Sequence, residues 1–417
     1  MGTLRRSQTG RNLLYLYLVQ GANYLFPLLT LPYLTRVLGP EGFGVMALGQ
    51  SFALYLQLLV EFGFSLSGTR EVARYRGDRE MIARIFSGVM GAKVVLVLPA
   101  ALVAFLALNL PPFRGKEEVV WAAFFWAVVW GFSPVWVFQG LERMREVAFL
   151  EVLTRGLATL GVFLLVRTPM DAYLPLLLNG IGALVATGLG IVWLAKLFPL
   201  RSPSFREGVA FLGLGGRLFL FRLAVSLYTA ANPLILGFFA PPSQVGLYAG
   251  AERLTKAVLG LLEPFNRAFF PRFARLVGQD PRAAGFLGIR VLGAMSGLAV
   301  WGAVFLWIFS PWVIRLLLGE GYEEAIPLVK TLVFLLPLIA VSNLLGIQWM
   351  LAWGMDRPFN AIILSAGLLN LLLATGLSAL GGALGLAWAV VLVEAWVTGS
   401  MAWYLHKHKR LPWEVVR

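Results

Sequence analysis

The charged side chains best suited to bind a ligand lie within two neighbouring apolar runs of the sequence, 209–239 and 245–271. A charge inside a membrane span costs about 2.5–3.5 kcal/mol on insertion scales, so these side chains are expected to face water, a ligand or each other. The charged side chains of the run 245–271 recur at helical spacing, and most of them share one helix face. Five of the seven are basic, which favours an anionic ligand. They are Arg217, Arg222, Glu252, Arg253, Lys256, Glu263 and Arg267.

Phosphate is the anion that this set fits best. Arginine donates two parallel charge-assisted hydrogen bonds to a phosphate group, and lysine adds a point charge. A structural interpretation stays open, because two acidic–basic pairs have the i,i+4 spacing of salt bridges within a helix. These pairs are Glu252–Lys256 and Glu263–Arg267. The residues that we predict to bind an anionic ligand are Arg217, Arg222, Arg253 and Lys256.

Two carboxylates, Glu61 and Glu263, lie at matching places of a weak internal repeat, and Arg70 and Arg272 match in the same register. A carboxylate there is suited to hold a coupling proton or sodium ion, or to act as a gate by pairing with an arginine. Each carboxylate precedes its arginine by nine residues, about 13–14 Å of helix, which is too far for a bridge within one helix. A gate pair would therefore cross between the halves of the chain, and helix packing is the remaining alternative.

Uncharged polar residues, among them Asn23 and Gln50, occur in the first two apolar runs. They indicate that these runs face water or a polar ligand. The alternative is helix–helix hydrogen bonding, which contributes only about 0.6 kcal/mol on average. We include both residues in the predicted substrate-binding set.

These residues are positioned by about twelve apolar runs, each long enough to cross a bilayer. A bilayer core of about 30 Å needs roughly 20 apolar residues as helix, and a helix satisfies its own backbone polar groups in lipid. The sequence therefore predicts an all-α polytopic membrane protein. The runs fall near 13–38, 43–66, 86–109, 119–138, 147–166, 172–195, 209–239, 245–271, 286–309, 326–352, 359–380 and 383–405.

Composition and charge placement support the membrane prediction. Hydrophobic residues make up 59% of the chain and charged residues 13%, whereas a soluble protein has about 25% charged residues. The net charge of +14 does not indicate nucleic acid, because the basic residues cluster in alternate loops. With the N-terminus inside, 21 basic loop residues lie on the inner side and five on the outer side. This distribution predicts a cytoplasmic (inner) membrane protein with both termini in the cytoplasm.

No cofactor or metal is expected. The chain has no cysteine, and its two histidines, His406 and His408, lie in the basic C-terminal tail, so thiolate and intramembrane histidine sites are excluded. The glycine-rich stretch 213–216 lacks the lysine and Ser/Thr of a phosphate-binding loop. The loops are mostly short and leave no room for a soluble catalytic domain, so we expect a protein that is not an enzyme.

The chain divides at the polar, basic stretch 197–208. We assign helices 1–6 to an N-terminal lobe, 1–205, and helices 7–12 to a C-terminal lobe, 206–417. An even number of spans in each lobe gives both the same orientation, a layout of transporters whose substrate site lies at the repeat interface. A shift of 202 positions aligns Pro40 with Pro242, Gly44 with Gly246, Ala47 with Ala249, Leu59 with Leu261, Glu61 with Glu263 and Arg70 with Arg272.

The run Asn23–Gly44, with the sequence NYLFPLLTLPYLTRVLGPEGFG, resembles the first-helix signature of polysaccharide (O-antigen type) lipid flippases. The segments Glu61–Phe64, Gly68–Glu71 and Phe138–Met144 resemble the same family. The resemblance covers most of the first 156 residues, whereas the second half matches mainly in its layout of spans. These flippases belong to the multidrug/oligosaccharidyl-lipid/polysaccharide exporter superfamily.

This resemblance implies two six-helix lobes around a V-shaped central cavity lined by helices 1, 2, 7 and 8. It implies a polyprenyl-diphosphate-linked oligosaccharide as cargo, moved from the cytoplasmic to the outer leaflet by alternating access for cell-surface polysaccharide synthesis. The expected partners are this lipid and the bilayer, and no nucleic acid. Polysaccharide polymerase and chain-length proteins are candidate protein partners, and we expect a monomer.

Two other functions stay open. An ion-coupled multidrug exporter of the same superfamily would have an acidic cavity suited to organic cations, whereas the seventh and eighth runs are mainly basic. A membrane polysaccharide polymerase or ligase usually presents a large outer loop with catalytic arginine or histidine. The outer loop near 310–326 is short and acidic, which makes this function the weaker alternative.

Overall fold

The computed structural model describes the backbone of residues 2–202 and 205–416. Side chains are described at position 15 and from 19 onward, apart from 24, 205–207, 217, 221, 228, 264, 267 and 268. The side chain of the predicted site residue Arg217 therefore lies outside the described part. Across the described backbone the regular secondary structure is helical, as the apolar runs predict. The chain forms two compact units, residues 1–223 and 224–417.

Unit 1, residues 1–223, is built from α1 to α7 and most of α8. Side chains of α2, α3 and α5, among them Phe64, Phe86 and Trp136, form a continuous buried cluster with residues of α6 and α7. The helices are α1 (Gly2–Glu61), α2 (Phe64–Arg74), α3 (Arg79–Ala107), α4 (Glu117–Gly131), α5 (Val135–Gly140), α6 (Met144–Leu165), α7 (Leu174–Ala195) and α8 (Phe205–Thr229), with short 3-10 turns at Pro111–Phe113 and Pro169–Tyr173.

Unit 2, residues 224–417, holds the remaining helices. A 3-10 turn at Gly260–Leu262 separates α10 from α11, and a π-helix at Asn343–Met350 follows α14. The helices are α9 (Asn232–Leu236), α10 (Pro242–Leu259), α11 (Glu263–Gln279), α12 (Pro281–Leu317), α13 (Ala325–Leu332), α14 (Leu335–Ser342), α15 (Asp356–Lys407) and α16 (Pro412–Val416).

The two longest helices each contain two predicted spans. The backbone of α1 leaves helical dihedrals at Gly39 (φ 65°, ψ 178°), directly before Pro40. The backbone of α15 does so at Gly381 and Gly382, where φ is 54° at the second residue. A positive φ is readily adopted by glycine, so these glycines allow the chain to turn between two spans. Both breaks lie between the runs that the sequence predicts there.

Eight helical stretches in the described ranges are long and apolar enough to cross a membrane, or nine with the bent pair Gly208–Gly216 and Leu218–Leu227. Two of the eight are the 56- and 61-residue stretches that contain Gly39 and Gly381–Gly382. The predicted run 245–271 is not among the eight, because its charged residues lower its hydropathy, yet α10 and α11 cover it. The protein is therefore an all-α polytopic membrane protein, while the lobe boundary at 205/206 stays a prediction.

Candidate functional site

Glu61 ends α1 at the turn that separates it from α2. The next two residues have positive φ, 50° at Phe62 and 81° at Gly63, so the chain turns sharply before α2 begins at Phe64. The turn directs the Glu61 carboxylate to the start of α2, where its Oε1 accepts a hydrogen bond from the Ser65 backbone N–H at 2.5 Å. A carboxylate in this position satisfies a free amide and is stabilised by the helix dipole.

The other oxygen of this carboxylate is bound by an arginine of α8. Arg222 Nη1 forms an ion pair with Glu61 Oε2, and the same nitrogen donates to Ser65 Oγ at 2.9 Å. The Glu61 side chain is 5% exposed and the Arg222 side chain 33%. The carboxylate is thus buried, whereas a third of the Arg222 side chain is exposed. This places Arg222 to bind an anion beside its counter-charge.

A second cation of unit 1 lies near Glu61. Lys93 on α3 is 1% exposed, and its Nζ lies 5.8 Å from the centroid of the Trp136 ring. Lys93 interacts electrostatically with Glu61. Thr69 Oγ1 donates to the Trp136 carbonyl at 3.0 Å and ties α2 to α5 beside this lysine. Lys93 was not among the predicted site residues, because one lysine in an apolar run has no spacing pattern.

Helix α8 crosses the α1–α2 turn at close range. The rings of Phe62 and Phe219 stack with centroids 4.7 Å apart. A Cβ added at Gly215 would lie 2.1 Å from the Phe62 carbonyl oxygen, and one at Gly63 would lie 2.9 Å from the Gly215 carbonyl oxygen. The two glycines therefore permit this approach. Arg222, seven residues after Gly215 on α8, reaches the same turn through its ion pair with Glu61.

The predicted charges of unit 2 lie on α10 and α11. Glu252 and Lys256 form the i,i+4 salt bridge that their spacing allows, with Nζ and Oε1 3.1 Å apart. The Lys256 side chain is 54% exposed, so much of it is open to a ligand. Arg253 is half-buried and interacts electrostatically with Glu252 and with the buried Tyr322. Glu263 is half-buried at the start of α11.

A cavity of about 340 Å³ lies within unit 2. Glu394 on α15 is buried there, and its Oε1 accepts a hydrogen bond from Ser342 Oγ at 2.6 Å. The cavity places the Glu252–Lys256 pair in the same space as a second acidic side chain. Its polar lining includes Asn232, Glu252, Lys256, Ser342, Asn343 and Glu394.

The other predicted site residues lie outside these clusters. Arg70 is exposed and pairs with its neighbour Glu71, with Nε and Oε1 3.6 Å apart. Arg272 is exposed on α11, and Gln50 is half-buried on α1. The Asn23 Oδ1 is buried and accepts no hydrogen bond from the residues that the structure describes. The roles of these four residues stay predictions.

The sequence matches a family model described as "Polysaccharide biosynthesis protein" over residues 9–277, well over half of the chain. The chain belongs to this family. This polysaccharide biosynthesis protein is 33% identical over 413 residues to the "Putative O-antigen transporter" of Escherichia coli (strain K12), with 96% of the chain and 97% of the relative covered. It is 30% identical over 400 residues to the protein of the same name from Shigella dysenteriae, with 92% and 96% covered.

Solved structures agree with the fold of the polysaccharide biosynthesis protein. Lipid II flippase MurJ in an inward closed conformation has a TM-score of 0.71 at 13% identity and covers 95% of this chain and 87% of its own. An inward-facing multidrug resistance MATE family transporter of the MOP superfamily has a TM-score of 0.67 at 16% identity, with 93% and 95% covered. At these identities the likeness shows the fold alone, which is that of a polytopic transporter.

Proposed function

We propose that this polysaccharide biosynthesis protein is a flippase for a polyprenyl-diphosphate-linked oligosaccharide. It moves this lipid from the cytoplasmic to the outer leaflet of the inner membrane by alternating access, for cell-surface polysaccharide synthesis. The observation that carries the proposal is the match, over nearly the whole chain, to two O-antigen transporters. Flipping makes and breaks no covalent bond, so no residue is assigned a catalytic role. The protein acts as a monomer and passes its cargo to polysaccharide polymerase and chain-length proteins.

In the proposed cycle the diphosphate of the cargo competes with Glu61 for Arg222. A guanidinium binds phosphate through two parallel hydrogen bonds, and part of Arg222 is already exposed. Once Arg222 binds the cargo, the buried Glu61 keeps its hydrogen bond from the Ser65 backbone N–H and its electrostatic interaction with Lys93. Withdrawing one member of a buried ion pair costs up to about 3–5 kcal/mol. The exchange therefore couples cargo binding to the packing of α8 against the α1–α2 turn, and leaves Glu61 suited to take up a coupling proton or sodium ion.

The remaining site residues are assigned by the chemistry of their side chains. Basic residues add positive charge for the diphosphate, and neutral amides hydrogen-bond the sugar. Charged residues at the inner ends of the spans act as the cytoplasmic gate, and the proposed lobes remain 1–205 and 206–417. The residues assigned to the substrate are Arg217, Arg253, Lys256, Asn23 and Gln50, and those assigned to the gate are Glu263, Arg70 and Arg272.

A vesicle assay tests the function. Purified protein is reconstituted with a fluorescent polyprenyl-diphosphate-linked sugar, and transfer to the outer leaflet is followed by quenching. Arg222→Ala should abolish transfer, and Arg222→Lys should restore it only in part because the two-pronged phosphate contact is lost. Arg84→Ala, which removes an exposed cation of α3, is the matched control. Wild-type protein that transports organic cations and leaves the lipid in place would instead be a multidrug exporter.

Both termini are proposed to lie in the cytoplasm. The chain has no native cysteine, so single cysteines can be introduced without background. In intact cells an impermeant thiol reagent should label a cysteine at Ser243 and spare cysteines at Ser7, Ser204 and Arg410. Labelling of the latter three in sealed cells would overturn this topology.

A further inference from the structure

Unit 1 contains a cavity that the site around Arg222 does not use. Its volume is about 870 Å³, in the upper part of the range of roughly 300–1,000 Å³ for small-molecule sites. Helix α1 supplies one wall with Tyr15, Leu25 and Phe26, and Phe149 of α6 and Trp193 of α7 supply the others. These walls are apolar and aromatic, which suits a hydrocarbon chain.

Basic side chains also line this cavity. Arg143 and Arg145 lie at the start of α6, and Lys196 follows the last residue of α7. Glu146 is the acidic residue of the lining, and its Oε1 lies 2.5 Å from Arg143 Nη2. Among the lining residues that the structure describes, three cations thus face one carboxylate, so two positive charges remain. Arg145 and Lys196 are both exposed, which leaves them open to a ligand.

The start of α6 adds to this positive charge. Its N-cap residue, Arg143, makes no side-chain capping bond. A helix N-terminus carries about half a positive charge and attracts phosphate. The preceding acidic residue, Glu142, pairs with Arg76 instead, with Nη1 and Oε2 2.8 Å apart. The carboxylates on either side of this N-terminus, Glu142 and Glu146, are therefore each bound to an arginine.

We propose that this cavity is a loading site for the lipid-linked substrate, where Arg145 and Lys196 bind the diphosphate and the apolar walls hold the first isoprene units. This inference rests on the proposed function. Under the predicted topology the start of α6 and the end of α7 lie on the cytoplasmic side, where the cargo starts. The charge favours a diphosphate over a membrane phospholipid, since a diphosphate diester carries two negative charges and a phosphodiester one. The loading site thus captures the lipid before Arg222 receives it.

Photocapture measures binding at this cavity alone. A photoreactive amino acid replaces Val152, which lines the cavity on α6. The full-length protein in nanodiscs is then titrated with a radiolabelled polyprenyl diphosphate that carries no sugar. We expect saturable labelling that unlabelled polyprenyl diphosphate displaces at a concentration at least tenfold lower than phosphatidylglycerol does. Arg222→Ala should leave this labelling unchanged, because Arg222 belongs to the later step.

One substitution adds bulk to the cavity at a position where the structure leaves room for a Cβ. A Cβ added at Gly21, which lines the cavity on α1, meets no atom within 4 Å. Gly21→Phe should therefore occupy the space of the lipid and reduce labelling at least tenfold. Gly188 on α7 is equally open but lies outside the cavity lining, so Gly188→Phe is the matched control and should label like wild type.

A second pair of variants tests the charge. Arg145→Gln with Lys196→Gln removes both charge-assisted contacts to the diphosphate and should weaken capture about tenfold or more. Arg84→Gln with Arg282→Gln removes the same charge from exposed positions elsewhere and should change capture less than twofold.

The outcomes separate the loading site from the proposed function. Wild-type labelling in which phosphatidylglycerol competes as well as polyprenyl diphosphate would overturn the loading site, and so would unchanged labelling in Gly21→Phe. Normal transport of the sugar-linked lipid by these variants would then leave the flippase function standing. Capture without any transport by wild type would overturn the loading role together with that function.

Discussion

Replacing Arg222 with glutamine should cost more stability than replacing Glu61 with glutamine, although each change removes the same ion pair. In Arg222→Gln the Glu61 carboxylate, 5% exposed, stays charged inside unit 1. Losing one member of a buried pair costs about 3–5 kcal/mol; because a third of Arg222 is solvated and Ser65 still donates to Glu61, we expect roughly 2–3 kcal/mol. In Glu61→Gln a third of the Arg222 side chain stays solvated and Lys93 keeps its contact with the Trp136 ring, so we expect about 1 kcal/mol.

A double-mutant cycle measures this coupling. The free energy of unfolding of wild type, both single variants and Glu61→Gln/Arg222→Gln is determined by denaturant titration in detergent micelles. The double variant should be less destabilised than the sum of the singles, by about 1–2 kcal/mol, because neither Glu61 nor Arg222 is then left without its partner. Lys93 loses Glu61 in both the Glu61→Gln and the double variant, so its cost cancels from the cycle. The i,i+4 pair Glu252–Lys256, whose lysine side chain is 54% exposed, is the control, and its cycle should give about 0.5 kcal/mol or less.

Two results would refute this reasoning. Additive losses within about 0.3–0.5 kcal/mol would show that the two side chains are not coupled. A larger loss for Glu61→Gln than for Arg222→Gln would show that the capping of α2 by the carboxylate, and not its buried charge, dominates the stability of this turn.

Three further outcomes are expected in the same assays. Gly215→Ala should lower the free energy of unfolding by about 1–3 kcal/mol, because its Cβ would meet the Phe62 carbonyl oxygen. Gly213→Ala, with open space around its Cβ, should raise it by up to about 1 kcal/mol through helix propensity. Lys256→Ala should change stability by less than about 0.5 kcal/mol yet reduce vesicle transport, and unchanged transport would remove Lys256 from the substrate site. Lys93→Met alone should change the free energy of unfolding little, because Arg222 still pairs with Glu61. Combined with Arg222→Gln it should cost more than alone, and additive losses would show that Lys93 and Arg222 do not both neutralise Glu61.

Most of the fold could be predicted from the lengths of the apolar runs and the positions of the glycines between them. The sequence separates runs 13–38 and 43–66, and the backbone breaks between them at Gly39. It separates runs 359–380 and 383–405, and the second break comes at Gly381 and Gly382. These features were predictable because the length of a span and the position of a glycine between two spans are local properties of the sequence. The family resemblance, read from the first 156 residues, is confirmed by the family match over residues 9–277.

The partners of the site residues were not predictable in the same way. Arg222 has no acidic neighbour at helical spacing, and its partner Glu61 lies 161 residues upstream. That contact depends on Gly63 and Gly215 letting α8 approach the turn. Arg145 and Lys196 were likewise counted only as inner-side charges, because nothing local shows that α6 and α7 bring them to one cavity.

The separation between Glu61 and Arg222 also bears on how the protein is made. At about 5–20 residues per second, the ribosome needs roughly 8–30 s to add the 161 residues that separate the two. During that time the first helices are already entering the membrane without the arginine that neutralises this carboxylate. Lys93 follows Glu61 by only 32 residues and is synthesised about 2–6 s after it. Lys93 thus provides the nascent N-terminal helices with a counter-ion for Glu61 until α8 has been synthesised.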